Sequence, residues 1–203
     1  ISILQEKLSF GDKSIDKIII FHKELLKANS KYNLISSSTV NNAWNRHILD
    51  SAQLVRFINF ENEKTLCDLG SGAGFPGIII SIFNNNPKFH VKLYEKSPVK
   101  CKFLNKIKDI LELKCTIVGG NCKDDLEHAD YVVARAFKKF EQILNISREI
   151  IKNNHKLIVL KGKSAQAEVN KALIKHKFSY TLEPSMTERD SKIVIVNYIK
   201  NCE

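Results

Sequence analysis

Apolar residues follow two different periods along the chain, and the change falls near residue 64. In the first part the period is helical: apolar or partly apolar positions 15, 18, 19, 22, 25 and 26 share one helix face. A second helical pattern runs over 48, 49, 52, 55 and 58, after a polar run at 36–39. We therefore predict a helical N-terminal lobe over residues 1–62, with Asp12 or Ser14 capping its main helix.

From residue 64 onward, short apolar strands alternate with helices. The pattern predicts strands at 65–67, 91–94, 116–118, 131–134 and 156–160, and helices at 75–83, 99–111, 140–151 and 166–176. This alternation is typical of an α/β domain with a parallel sheet covered on both faces. Two final strands, 178–182 and 193–198, lack a helical pattern between them and predict an antiparallel finish. This second domain spans 63–203, and we expect it to form one compact unit with the lobe.

Composition narrows the class of protein. The chain has 203 residues, of which 43% are hydrophobic and 27% charged, as in ordinary globular proteins. No apolar run approaches the ~18 residues of a membrane span, and the first residues lack a secretory signal pattern. Five cysteines include no C-x-x-C pair, which argues against a disulfide framework or a zinc site. We expect a cytoplasmic protein that uses neither a membrane nor a metal.

The chain is strongly basic, with 32 Lys and Arg against 22 Asp and Glu, a net charge of +10. Such a balance favours a polyanionic partner, because each neutralised phosphate releases counterions. A composition in which lysine is simply the usual solvated residue explains the charge equally well. Charge alone therefore leaves nucleic acid as an open alternative.

The strongest chemical signal is a glycine-rich turn between the first predicted strand and the next helix. The segment DLGSGAG begins at Asp68 and contains Gly70, Gly72 and Gly74. Glycines let the backbone turn sharply and approach a ligand, which binds at the carboxyl ends of parallel strands. A P-loop needs a different pattern, and a dinucleotide loop needs glycine where Phe75 stands. The spacing is instead typical of S-adenosylmethionine enzymes, in which an acidic group hydrogen-bonds the cofactor's ammonium, directly or through water.

Two further acidic residues suit the same cofactor. Glu95 ends the second predicted strand, where a carboxylate accepts both ribose hydroxyls. Asp124 follows the third strand and is placed to meet the adenine amino group. Asp125 is adjacent, however, and either residue also suits a helix N-cap.

In combination these residues resemble the GidB/RsmG family. The loop continues as FPG, and a Pro-Gly after the third glycine is unusual among methyltransferases. Other blocks match in order: 32–36 (YNLIS), 46–51 (RHILDS), 134–136 (ARA) and 160–162 (LKG). The resemblance covers nearly the whole chain. It implies a Rossmann-like, seven-stranded S-adenosylmethionine-dependent methyltransferase sheet with a helical N-terminal extension. It also implies methylation of N7 of a guanine in small-subunit (16S) ribosomal RNA, within the 30S subunit or an assembly intermediate.

The resemblance also assigns cofactor contacts. It implies that Gly70 and Phe75 line the cofactor, that Lys123 and Asp124 flank its adenine, and that Arg135 closes the site. The family commonly has two adjacent basic residues shortly after the acid at position 95. Here that pair is Val99-Lys100, so one charge is missing, although Lys96 and Lys102 are close in sequence.

The expected chemistry needs positioning rather than proton transfer, because guanine N7 carries an accessible lone pair. Arg135, after the fourth strand, is the first candidate to hold the target base or its phosphate, since guanidinium is a planar fork. Lys161 takes the equivalent place after the fifth strand. A structural ion pair for Arg135 and a solvated strand end for Lys161 are the alternatives. The substrate-binding candidates are Asn33, Arg46, His47 and Lys100.

Two other functions stay open on the residues alone. One is a methyltransferase for a small molecule or a protein, which the basic charge and the N-terminal blocks disfavour. The other is a regulatory protein that binds the cofactor without catalysis. The joint presence of Asp68, Glu95 and Arg135 favours a working site.

Overall fold

A computed structural model describes residues 1–120 and 128–198, so the predicted cofactor residues Lys123 and Asp124 lie outside the described residues. The helices are α1 (Ser2–Glu6), α2 (Asp12–Tyr32), α3 (Ser37–Val40), α4 (Asp50–Ala52), α5 (Gly77–Phe83), α6 (Pro98–Ile110), α7 (Phe140–Ile150) and α8 (Ala165–Lys175). The strands are β1 (Lys64–Leu69), β2 (Phe89–Glu95), β3 (Cys115–Gly119), β4 (Tyr131–Arg135), β5 (His155–Lys161), β6 (Tyr180–Pro184) and β7 (Lys192–Tyr198).

The strands form one seven-stranded sheet in the order β3-β2-β1-β4-β5-β7-β6. Strands β1 to β5 are parallel, and β7 is antiparallel to both β5 and β6. The predicted α/β sheet with an antiparallel finish is confirmed. The chain leaves β1 toward β2 on one side and returns to β4 on the other, so the strand order reverses between β1 and β4. A crevice for a ligand lies at such a reversal, at the carboxyl ends of the strands.

Each face of the sheet buries its own apolar layer. Along β4, Tyr131 and Val133 point into one layer, whereas Val132 and Ala134 point into the other. This alternation follows from the two-residue period of a strand. The first layer contains apolar residues of α2, α5 and α6, and the second contains those of α7 and α8. The N-terminal helices therefore share a core with one face of the sheet. No helix within the described ranges is long and apolar enough to cross a bilayer.

The main helix of the lobe, α2, differs from its prediction in two details. Gly11 occupies the N-cap position, and no side chain caps the helix. Ser14 instead donates a hydrogen bond to the Ile82 carbonyl, 3.1 Å away, and thereby ties α2 to the end of α5. The prediction that Ile19 faces the core is also wrong, because Ile19 is 45% exposed while Phe21 is fully buried. The buried face is rotated toward Phe21, which contacts the Phe75 ring.

The second predicted helix of the lobe is helical but irregular. A π-helical turn, Trp44–Leu49, leads into α4, and a 3₁₀ stretch, Gln53–Phe57, follows. π-helical turns occur frequently at functional sites because they reorient side chains. This one carries His47, one of the predicted site residues. Near the glycine loop, α5 begins at Gly77 rather than at Phe75 as predicted.

The start of α5 has no room for a side chain. The Gly77 N–H donates to Asp68 Oδ2 at 2.9 Å, and a Cβ at Gly77 would lie 2.6 Å from that oxygen and 2.8 Å from Leu93. We therefore expect Gly77→Ala to lower the free energy of unfolding by ~1–3 kcal/mol, as overpacking does. Urea unfolding measures this loss. Gly119→Ala is the matched control, because its Cβ would meet Cys101 Sγ at an ordinary 3.7 Å. Equal unfolding midpoints for the two variants would contradict this packing.

Candidate active site

A cavity of about 360 Å³ opens where β1, β2 and β4 end. It combines the glycine loop with residues of the N-terminal lobe and of the segment after β4. Predicted site residues that line it are His47, Gly70, Gly72, Phe75, Glu95, Lys100 and Arg135. Its wall also includes Leu34, Ile35, Ser71, Ala73, Tyr94, Lys96, Gly120, Ala136 and Phe137.

The glycine loop is tied to the end of β2. The N–H groups of Gly70 and Ser71 both donate to the Tyr94 carbonyl, at 2.9 and 3.0 Å. Gly70 has φ +72°, and a Cβ there would lie 2.2 Å from the Phe137 ring. Gly72 has φ +59°, and a Cβ added there would lie 3.8 Å from the Gly70 carbonyl oxygen. A side chain at Gly72 would therefore project into open space at the cavity.

Two predicted cofactor residues, Gly74 and Asp68, do not line the cavity. Gly74 has φ +104°, and a Cβ there would lie 2.6 Å from the Ile78 side chain, so this glycine permits close packing of the loop on α5. Asp68 is fully buried below the loop. Contact between Asp68 and a ligand in the cavity would need a bridging water molecule.

The buried Asp68 carboxyl has an unusual electrostatic state. Burial raises its pKa to about 7, against the opposing effects of the Ser71 side chain and the Gly77 N–H. Its Oδ1 atom is buried and has no hydrogen-bond partner among the described residues. A buried acceptor without a hydrogen bond lowers the stability of the fold, and nearly all buried polar groups have a protein, water or ligand partner. Asp68 therefore supports the loop through one oxygen and leaves the other available.

Glu95 lies in the cavity wall, 9% exposed, as predicted for the end of β2. Its Oε2 accepts from the Gly72 N–H and its Oε1 from the Ser97 N–H, each at 2.8 Å. A carboxylate has about four lone-pair sites, so two remain for a ligand. The same side chain thus fixes the glycine loop and presents acceptor sites to the cavity.

Arg135 extends from the end of β4 across to the N-terminal lobe. Its Nη1 donates to the Arg46 carbonyl at 2.9 Å, and its Nη2 lies 2.8 Å from His47 Nδ1. Nη1 is also 3.8 Å from Asp50 Oδ2, and the guanidinium lies over the Phe75 ring at 5.1 Å. Burial lowers the pKa of Arg135, with Asp50 acting in the opposite direction. Nε is buried and has no partner among the described residues.

His47 completes this wall from the lobe side. Its ring stacks on Phe75 with a centroid separation of 5.2 Å, and its Nε2 lies 2.9 Å from Thr39 Oγ1. Burial, Arg135 and Arg46 together lower the pKa of His47 to about 4. The imidazole is therefore neutral near pH 7. Because a guanidinium only donates, Nδ1 must accept from Arg135, and the proton resides on Nε2.

A second cavity, of about 440 Å³, adjoins the first and shares His47, Arg135 and Ala136 with it. Its other lining residues include Thr39, Arg46, Asp50, Lys161, Gly162, Glu168, Thr187 and Glu188. Asp50 is held by Thr187 Oγ1 at 2.8 Å and Gln53 Nε2 at 2.9 Å. Burial raises the pKa of Asp50, against the hydrogen bond from Thr187 and the charge of Arg135.

Two predicted cations of this second cavity are already paired. Lys161 donates to Glu168 Oε2 at 2.8 Å and to the Lys138 carbonyl at 2.7 Å, so it is not the solvated strand end of the alternative interpretation. Arg46 forms an ion pair with Glu188. Both cations lie at the cavity, and a ligand would meet them as ion pairs.

The last two substrate candidates occupy different positions. Asn33 ends α2 in the left-handed conformation, φ 47°, and is exposed without lining either cavity. Lys100 lines the first cavity from the first turn of α6, after the cap residue Ser97. The structure therefore gives Asn33 a clear role in ending a helix.

Sequence reasoning missed Phe137 and Tyr94, which close the site around the loop. Phe137 fills the space that Gly70 leaves open, and Tyr94 anchors the loop through its carbonyl. The available signal for Phe137 is its position directly after the ARA block. No group of His, Cys, Asp and Glu side chains that suits a metal ion occurs within 1–120 or 128–198.

Comparison with known proteins identifies the relatives of this chain. The sequence profile described as "GidB: rRNA small subunit methyltransferase G" matches residues 14–194. "Ribosomal RNA small subunit methyltransferase G" of Rickettsia typhi is 38% identical over 183 residues, which are 90% of this chain and 93% of the relative. The protein of the same name from Gluconobacter oxydans is 36% identical, covering 87% of this chain and 89% of the relative.

A solved structure shares the fold at low sequence identity. The structure of "a SAM dependent methyltransferase from Aquifex aeolicus" is 12% identical, with a TM-score of 0.60 over 80% of this chain and 98% of that one. At this identity the likeness concerns the architecture of the sheet and its helices.

The protonation state of His47 is directly measurable. Nitrogen-15 NMR of the imidazole should show the Nε2–H tautomer, with a pKa near 4 because burial and two arginines oppose protonation. Stability linked to His47 should then be present above pH 6.5 and be lost as the pH falls toward 4, since the unfolded state binds the extra proton. An Nδ1–H tautomer or a pKa near 6.5 would show that the bond from Arg135 is absent.

Proposed function

Because the chain belongs to the GidB family, described as rRNA small subunit methyltransferase G, we propose that it transfers a methyl group from S-adenosylmethionine to N7 of a guanine in 16S ribosomal RNA. The observation that carries this proposal is the wall of His47 and Arg135, both in contact with the Phe75 ring, between two adjoining cavities. One cavity holds the glycine loop, and the other holds charged residues of both signs.

The residues around the first cavity fit an adenosyl cofactor that ends in an amino acid. Glu95 offers two acceptor sites for ribose hydroxyls. Asp68 Oδ1 is an unpaired acceptor, which suits an ammonium group through a bridging water. The open side of Gly72 lets the ligand approach the backbone. Lys123 and Asp124 are proposed from family resemblance to flank the adenine, and Gly70 and Phe75 to line the cofactor.

When bound, S-adenosylmethionine supplies an electrophilic methyl group on a sulfonium sulfur. Transfer to the accessible lone pair of guanine N7 would require no removal of a proton. The chain therefore has to orient the base and stabilise charge rather than provide a general base. The guanine ring would gain positive charge as its N7 is methylated.

The charges of the second cavity suit that redistribution. Asp50 lies in its wall and would stabilise a positive ring, whereas Glu188 is already paired with Arg46. His47 is neutral near pH 7, so it adds no second positive charge beside the base. Arg135 is held by His47 and by the Arg46 carbonyl, which fixes its planar group where the two cavities meet. Neutral imidazole and fixed guanidinium thus define the edge against which the guanine lies.

The remaining assignments concern the RNA and its setting. Arg46, Lys161, Lys100 and Asn33 are proposed to contact the RNA around the target, and the +10 charge supports a polyanionic substrate. Residues 1–62 act as the substrate-side lobe on the domain 63–203. The setting is the cytoplasm, where the target guanine belongs to a 30S subunit or an assembly intermediate.

Replacing Arg135 tests the role of the wall. Arg135→Lys keeps the charge, but a single ammonium cannot reproduce the planar fork toward His47 and the Arg46 carbonyl. We expect methyl transfer to 16S ribosomal RNA to fall about ten- to a hundredfold, the effect of losing one charged contact of ~1.5–3 kcal/mol. Single-turnover transfer of a labelled methyl group measures this, and calorimetry with S-adenosylhomocysteine measures cofactor affinity, which should change much less.

The matched control is Arg56→Lys, since Arg56 also lies over a phenylalanine ring, at 5.2 Å from Phe57, away from both cavities. A loss of cofactor affinity that matches the loss of transfer would place Arg135 in the cofactor site alone. If both quantities stay at the wild-type value, Arg135 is a structural residue and its assignment is wrong.

A further inference from the structure

A groove between α2 and α6 lies beside the mouth of the first cavity and has no part in the chemistry described above. Its volume is about 490 Å³, and its apolar surface includes Tyr32, Val99 and Phe103. Tyr32 is 55% exposed and Val99 is 46% exposed. Large apolar side chains that share one exposed groove commonly mark a binding surface.

Lysines border this apolar surface on both helices. Lys27 and Lys31 come from α2, and Lys102 and Lys106 from α6. Each pair is spaced i, i+4, which places like charges side by side on one helix face and destabilises the helix. The pairs also belong to neighbouring helices that pack together. This arrangement concentrates positive charge at a cost that an anionic partner would offset.

One acidic residue lies close to these lysines. Glu24 accepts a hydrogen bond from Lys106 at 2.6 Å. That bond lowers the pKa of Glu24, and the charges of Lys27 and Lys23 lower it further. The lining of the groove contains four lysines and no acidic residue within the described chain. Positive charge therefore remains in excess after the single ion pair is formed.

The groove is continuous in sequence with the cavity wall. Tyr32 ends α2, and Leu34 and Ile35 then line the first cavity. On the other helix, Val99 lines the groove while the next residue, Lys100, lines the cavity. Lys100 is proposed above to contact the RNA, so a chain of nucleotides that passes Lys100 on its way to the target site would also meet the groove.

We propose that the groove between α2 and α6 binds a single-stranded RNA nucleotide next to the target guanine, with its base on Tyr32 and Val99 and its phosphates between the lysines. The proposal rests on the proposed function for its substrate. Stacking on an aromatic side chain within a basic groove is how proteins hold single strands without reading their sequence. The exposed Val99 widens this apolar platform.

Charge removal tests the phosphate contacts. The groove variant combines Lys27→Gln with Lys31→Gln. The control variant combines Lys171→Gln with Lys177→Gln, which removes the same charge from exposed positions on or beside α8, on the opposite face of the sheet. Binding of a fluorescein-labelled oligouridylate is measured by anisotropy against salt. The groove variant should flatten the log–log salt slope by about 1.4, since each single-strand phosphate contact contributes ~0.7. An equal change in both variants would overturn the proposal.

Aromatic replacement tests the stacking contact. Tyr32→Leu keeps an apolar side chain but removes the ring, so affinity for oligouridylate should fall about tenfold with an unchanged salt slope. Tyr32→Phe should restore affinity. Wild-type affinity in Tyr32→Leu would overturn the proposal, as would an equal loss in Tyr32→Phe.

Methyl transfer to 16S ribosomal RNA separates this inference from the proposed function. Both groove changes should raise KM with little effect on kcat, because they lie outside the reacting groups. If the wild-type protein forms no 7-methylguanine yet binds oligouridylate through the groove, the proposed function fails and the RNA site stands. If it forms 7-methylguanine while the groove variants keep wild-type KM and affinity, the groove proposal fails alone.

Discussion

The planar group of Arg135 joins the two halves of the site. It leaves β4 of the sheet, donates to the Arg46 carbonyl and to His47 of the N-terminal lobe, and lies over Phe75 of the glycine loop. A guanidinium is suited to this place because it donates in several directions from one plane and keeps its charge when buried. Apolar packing and other hydrogen bonds, such as the one from Ser14 to the Ile82 carbonyl, also join the lobe to the sheet domain.

Several features of the structure follow from this junction. His47 has to be neutral to accept from Arg135, and its burial ensures that it is. The π-helical turn that carries His47 also brings the Arg46 carbonyl to the other end of the guanidinium. The Phe75 ring packs against the His47 ring and against Phe21 of α2. The two cavities therefore meet at a surface whose parts come from distant segments.

Much of this arrangement could be predicted from the sequence because it depends on local pattern. Strand period, the position of Glu95 at a strand end and the spacing of glycines in the loop are local properties, and the sheet and Glu95 lie as expected. Other details depend on packing and pairing that a residue's position in the motif does not indicate. Asp68 lies below the loop and Gly74 packs on Ile78, because both face α5 rather than the cavity. Lys161 is paired with Glu168 of α8, seven residues away, which its strand-end position alone does not reveal.

In the proposed function, the wall of His47 and Arg135 presents a guanine of ribosomal RNA to the methyl donor. Mapping 7-methylguanine along 16S ribosomal RNA, by borohydride and aniline cleavage followed by primer extension, tests this proposal. The RNA is taken from a bacterial strain that lacks its own enzyme of this family, once with this chain expressed and once without it. We expect one new 7-methylguanine in the small-subunit RNA when the chain is present. A map identical with and without the chain, or a methyl group on another atom of the base, would contradict it.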